Sequence, residues 1–238
     1  MMLEAAHLRC VRGLLAAGTL VLLAVACGAP KPRQAPAPAP TAPVGAPAGA
    51  GYRIDPAHSE LRVLVYRAGI MSALGHNHVF VNRALEGWVR FTGSASGAAF
   101  ALTVPVSGFV VDEAEARRQE GAEFAEQTPE AAKAGTLENM LSPAVLDAAA
   151  YPLITVRSLS VMPSATGMQA RVRVSVAGHQ ATLAAPFTLQ ICAGRLSASG
   201  MLAVRQSDLG MTPFSVMMGA LRVQDELRVK FRLLALAR

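Results

Sequence analysis

From Tyr52 to the C-terminus, apolar and polar residues alternate with a period of two over one run after another. In Leu61–Arg67, Leu61, Val63 and Val65 are set against Arg62, Leu64 and Tyr66. In Leu85–Phe91, Leu85, Gly87, Val89 and Phe91 oppose Glu86, Trp88 and Arg90. Further runs follow at 100–111, 153–162, 168–178, 181–191, 195–206 and 226–236. The clearest alternation is Gln169–Val176, where Arg171 and Arg173 face away from Val172 and Val174. A period of two is the mark of half-buried strands. Turn residues at Thr92-Gly93, Ala165-Thr166-Gly167, Gly178 and Gly194 separate the runs at hairpin spacing. Pro105 inside the run Phe100–Val111 predicts an edge or a bulge there, because proline cannot donate to a ladder.

The segment 112–150 breaks the alternation. It is rich in Ala, Glu and Leu, and Pro129, Gly135 and Pro143 divide it into short helices. With one helical excursion and no strand–helix–strand rhythm, the pattern predicts an all-β antiparallel fold of about eight strands, closed into a barrel or packed as a sandwich. Several runs, such as Ala181–Leu189 and Ser197–Val204, are apolar or small on both faces. Such strands suit a hollow that holds a lipid-like molecule, and equally an ordinary packed core.

The N-terminal region reads differently. Arg9 and Arg12 precede an uncharged stretch, Gly13–Cys27, that is short of the ~20 residues of a membrane span. It predicts a signal peptide over residues 1–26. Its end, Leu-Ala-Val-Ala-Cys, resembles a bacterial lipobox, which makes Cys27 the expected lipid attachment site. Residues 27–51 are Pro-, Ala- and Gly-rich and predict an extended tether. The expected location is the bacterial envelope, with the domain 52–238 in the periplasm on an outer-membrane lipid anchor.

Charge and cysteine content narrow the functions. The formal net charge is +6, but Arg9, Arg12, Lys31 and Arg33 against Glu4 put half of that surplus before residue 52. The domain's charges are interspersed, with no basic run, so it carries no nucleic-acid footprint. Cys192 is the lone cysteine of the domain, expected as a small buried hydrophobe, and no disulfide framework or CxxC metal knuckle exists.

Candidate chemistry centres on Gly75-His76-Asn77-His78, which holds two of the five histidines. His76 and His78 at i, i+2 would share a strand face and could bind Zn²⁺ or Cu²⁺ with a third ligand from His58, His179, Glu60 or Asp112. The alternatives are a turn whose imidazoles bond to backbone or line the barrel mouth, and contacts to a ligand headgroup. Asp55-Pro56-Ala57-His58-Ser59 reads as a turn initiated by Asp55-Pro56, and Asp208 as a turn residue or a mouth group. With no nucleophile elbow, HExxH or phosphate loop, the chain is expected to bind and not to catalyse.

The residues Tyr52–Gly69, Leu85–Gly93, Leu137–Ser158 (with Asp147, Tyr151 and Pro152) and Arg205–Leu233 (with Asp208 and Gly210) resemble, in order and spacing, the YceI-like family of bacterial polyisoprenoid-binding proteins. The resemblance implies a lipocalin-like barrel whose apolar tunnel takes an isoprenoid, quinone or fatty-acid-like lipid, with no required cofactor. The chain departs from better-known members in its Gly-His-Asn-His hairpin and at Ser175–Leu189. Val63, Val65, Trp88, Phe91, Phe109, Phe187 and Phe214 are expected in the core or the ligand wall, their inward or outward sense open by one register step. His58, His76, His78 and Asp208 are the polar candidates. A metal-binding protein using His76 and His78, and a tethered interaction module without a ligand, are the rival expectations.

Overall fold

The computed structural model describes residues 45–48 and 51–238. The expected signal (1–26), Cys27 and most of the tether lie outside the described residues.

The strands are β1 (Tyr52–Ile54), β2 (Glu60–Val65), β3 (Arg67–Ala68), β4 (His78–Asn82), β5 (Glu86–Arg90), β6 (Ala99–Pro105), β7 (Phe109–Val111), β8 (Leu153–Ser164), β9 (Gly167–Val176), β10 (His179–Cys192), β11 (Arg195–Arg205), β12 (Ser215–Val216), β13 (Leu221–Val223) and β14 (Glu226–Ala237). Two α-helices, α1 (Ala114–Gln119) and α2 (Glu130–Leu141), occupy the excursion between β7 and β8. Antiparallel pairing runs β1-β5-β6-β8-β9-β10-β11-β14, and β14 returns to β1 through Tyr52↔Ala237 to Ile54↔Ala235. The ring is therefore closed: an eight-stranded, lipocalin-like barrel with no free edge in the closed part.

The first three strands of the barrel are bent, and local chemistry bends them. β1 and β2 are halves of one strand, both paired to β14. Between them Pro56 supplies no N–H, and the Asp55 side chain accepts from Ala57 N, which makes one 3-10 turn. β4 and β5 are interrupted at 83–85, and β6 and β7 by the 3-10 turn Val106–Gly108 just after Pro105. Asn82, fully buried, ties these two breaks together: its Nδ2 donates to Pro105 O at 2.8 Å and its Oδ1 accepts from Ala84 N at 2.9 Å. As a result β2, β4 and β7 splay from the ring as one flap. β7 has no second strand partner, and α2 packs beside it. Met140 of α2 and Leu146 beyond it enter the core there.

The remaining hairpins are regular. Ala177-Gly178 and Ala193-Gly194 each carry two successive positive φ values, the geometry that lets a two-residue turn follow the twist of its strands. Cys192 sits beside the second of these turns and is exposed, which corrects the expectation of a buried thiol. The reason is position: it ends β10 next to the turn, at the end of the hairpin, where no second layer covers the strand.

Alternation sorts each strand. Leu183, Ala185, Phe187 and Leu189 of β10 face inward, while Thr182, Ala184, Pro186, Thr188 and Gln190 are exposed. The run that read as apolar on both faces is therefore ordinary alternation with small residues outside. A second, smaller core forms on the outer side of β2 and β4, where Leu64, Tyr66, Val79 and Val81 are covered by Ala116 of α1 and Phe124.

Candidate ligand cavity

The inward faces do not fill the barrel. A cavity of about 420 Å³ remains, in the range of small-molecule sites. Its wall draws on all eight barrel strands and the flap, and its polar members are His78, Gln206, Thr136 and Asn139. The Gln206 side chain donates one hydrogen bond to Gln224 O at 2.8 Å. A wall this apolar offers water few partners, because water needs several polar ones.

Of the residues expected at the wall, Val63, Val65, Phe91, Phe109, Phe187 and Phe214 line the cavity, as does His78. Trp88 does not. It lies on the outer face between inward-facing Gly87 and Val89, packed with Ala101, Ala99 and Ala46 of the tether, and its buried Nε1 has no hydrogen-bond partner. The sequence left the register sense of Trp88 open, and the structure turns it outward. His58 is exposed on the 3-10 turn, with Nδ1 2.7 Å from Asp55 Oδ2. Asp208 is exposed in the turn Ser207–Leu209, which Gly210 ends with φ 76°.

His76 and His78 part company. His78 opens β4 on its inward face, two residues before Phe80, which also lines the cavity. His76 precedes the strand, with its Nδ1 3.6 Å from Glu126 Oε1 and its ring 6.3 Å from that of His78. Among the described residues no group of three or more His, Cys, Asp or Glu side chains could hold a metal ion. The third-ligand candidates go elsewhere: His58 to Asp55, His179 beside Gly210, Glu60 to Arg62 and Arg83, and Asp112 to the Nδ1 of His78 itself.

Asp112 is the hinge of a buried polar knot. It is fully buried, at φ 55°, where β7 meets the helical excursion. Its Oδ2 lies 2.7 Å from His78 Nδ1, and its Oδ1 accepts from Val79 N at 2.8 Å and Arg117 Nη1 at 2.6 Å. Arg117, itself buried, also donates to the backbone carbonyls of Asn77 and Glu126. Burial pushes the Asp112 carboxyl up, but hydrogen bonds from His78, Val79 N–H and Arg117 outweigh it and hold the group below its ordinary value. An ionised carboxylate can only accept, so Nδ1 of His78 carries the shared proton. The role of Arg117 was not foreseen. The available signal was an acidic residue closing a strand, followed five positions later by arginine in a short helix.

An antiparallel barrel around an apolar cavity defines a lipocalin-like fold. The YceI-like domain model matches residues 52–235, and the chain belongs to that family. Its fold is shared with BcnA of Burkholderia cenocepacia (TM-score 0.57, 16% identity, 76% of this chain and 98% of that one). It is shared as well with a polyisoprenoid binding domain from Saccharophagus degradans (TM-score 0.52, 13% identity, 79% of this chain and 99% of that one). No curated protein sequence matches the chain.

Proposed function

We propose that this protein is an envelope lipoprotein whose barrel binds or carries an amphiphilic, mostly apolar ligand of isoprenoid or quinone type, without transforming it. The observation that carries this reading is the cavity, whose wall is almost wholly aliphatic and aromatic. Burial at about 0.8 kcal/mol per CH₂ makes each five-carbon unit worth about 3–4 kcal/mol before ordering costs. Family membership and the polyisoprenoid binding of the Saccharophagus domain support the same ligand class.

The surface near one barrel end adds support. The loop after β3 and the loop between β12 and β13 lie together, with Met71 N bonded to Ala220 O. They expose Ile70, Leu74, Met217 and Met218, the last at φ 54°. This apolar tip stands at the His78 end of the cavity, since β3 follows the strand end at which Val65 pairs with His78. A ligand leaving a membrane for the cavity would find an apolar rim there.

Native mass spectrometry of the detergent-extracted full-length protein tests the reading. The expected spectrum carries a bound mass of a long-chain lipid and an acylated N-terminus at Cys27. A replacement of cavity-lining Ala198 by phenylalanine should fold and lose the bound mass. A protein that is empty and also fails to take up added prenyl lipids overturns the reading.

A further inference from the structure

We infer that His78 anchors the ligand's polar end by accepting a hydrogen bond from a hydroxyl group at Nε2, so that within the isoprenoid and quinone class the cavity favours the hydroxyl-bearing members, prenols and hydroquinones, over quinones and ethers. This rests on the cavity being a lipid site.

The geometry argues it from the far side of the ring. Asp112 cannot shift, because its own backbone N donates to Val79 O at 2.8 Å while Val79 N donates back to its Oδ1. Its charge is balanced by Arg117, so it needs no proton from His78 to remain in the interior. In the neutral imidazole, a hydrogen on Nδ1 leaves Nε2 as a bare acceptor. Nε2 makes no hydrogen bond to any described residue, yet it is not sealed in protein. The ring lines the cavity wall. Among the described residues, His78 is the only ionisable side chain in that wall, and Gln206 there donates one amide hydrogen to Gln224 O. A fixed acceptor on an apolar wall rewards a ligand donor, because the low local dielectric strengthens the bond. An ether or carbonyl head brings a second acceptor against Nε2 and leaves both unpaired.

The test compares farnesol and geranylgeraniol with their methyl ethers, and with the acids of matched length, on the full-length protein by competition against a fluorescent polyene. The alcohols should bind about tenfold more tightly than the ethers, as loss of one buried hydrogen bond implies. His78→Leu should bring alcohol and ether to the same weak level. In ¹⁵N spectra of the wild-type ring, Nε2 should shift on adding alcohol and stay put on adding ether. The wild-type comparison needs no variant, so a folding failure of His78→Leu does not blunt it. Equal, tight binding of alcohol and ether sinks the hydroxyl anchor and leaves the lipid cavity standing. Tighter binding of the acid reassigns the head as an anion and likewise overturns it. Binding of none of the probes overturns the cavity reading, and the anchor with it.

Discussion

His78, Asp112 and Arg117 bring three polar side chains to one spot beside an apolar cavity, and stability and selectivity meet there. Removing Asp112's charge strands a guanidinium that is 5% exposed. Asp112→Ala should therefore cost about 3–5 kcal/mol in urea unfolding. Glu113→Gln, one residue along, loses only the partly exposed pair with Arg83 and should cost less than about 1 kcal/mol. The pH dependence follows in sign. Asp112 has a folded-state pKa below its unfolded one, so its contribution is complete above about pH 4 and is lost as pH falls through the folded value. The urea midpoint should decline in acid, and Asp112→Asn should flatten that decline while lowering the plateau. A midpoint that falls equally steeply in the variant would remove Asp112 from the account. At this scale, the histidine pair was legible in the sequence, and so was Asp112 as a possible partner of it. Which imidazole faced inward was not, because His76 sits before the first paired residue of β4 and strand parity does not reach it.

At the scale of the element, glycines divide by what their neighbours allow. A methyl group on Gly87 of β5 would overlap the Ala101 carbonyl and the Leu102 side chain. Gly87→Ala should destabilise by about 1–3 kcal/mol, read from thermal or denaturant unfolding. Gly135, inside α2, has open space around its missing side chain. Gly135→Ala should instead stabilise by about 0.5–1 kcal/mol, since alanine loses less entropy on entering a helix. Opposite signs from one substitution type would confirm the two packings; equal signs would contradict them. The strands and their alternation were readable because the period of two is local. The flap was not: β2, β4 and β7 pair with one another and β14 only because the breaks at 55–59, 83–85 and 106–108 fall into line across three strands.

For the molecule as a whole, the same barrel end brings together His78, the cavity and the apolar tip. If the tip is where ligand passes between lipid and protein, Ile70→Ser with Met218→Ser should slow transfer of a fluorescent prenyl lipid from vesicles at least severalfold. Affinity for a short, water-soluble prenol should stay as it was, because neither side chain lines the cavity. Unchanged transfer rates would separate the tip from loading. The outer face, by contrast, projects Arg171, Arg173 and Arg195, all exposed, from β9 and β11.

By itself the sequence determined the class of fold, the order of strands and helical excursion, and the alternation along each strand, with the inward sense of Val63, Val65, Phe91, Phe109 and Phe187 left open by one register step. Each is written in residues close together in the chain, through alternation, turn glycines and prolines. The tertiary structure alone decided that the barrel closes on a hollow, that Trp88 faces outward beneath Ala46, and that Asp112 and Arg117 hold the Nδ1 edge of His78. Those outcomes depend on contacts such as that of His78 with Asp112, 34 positions apart, or on how much volume eight walls leave between them. No local pattern encodes a remainder of that kind.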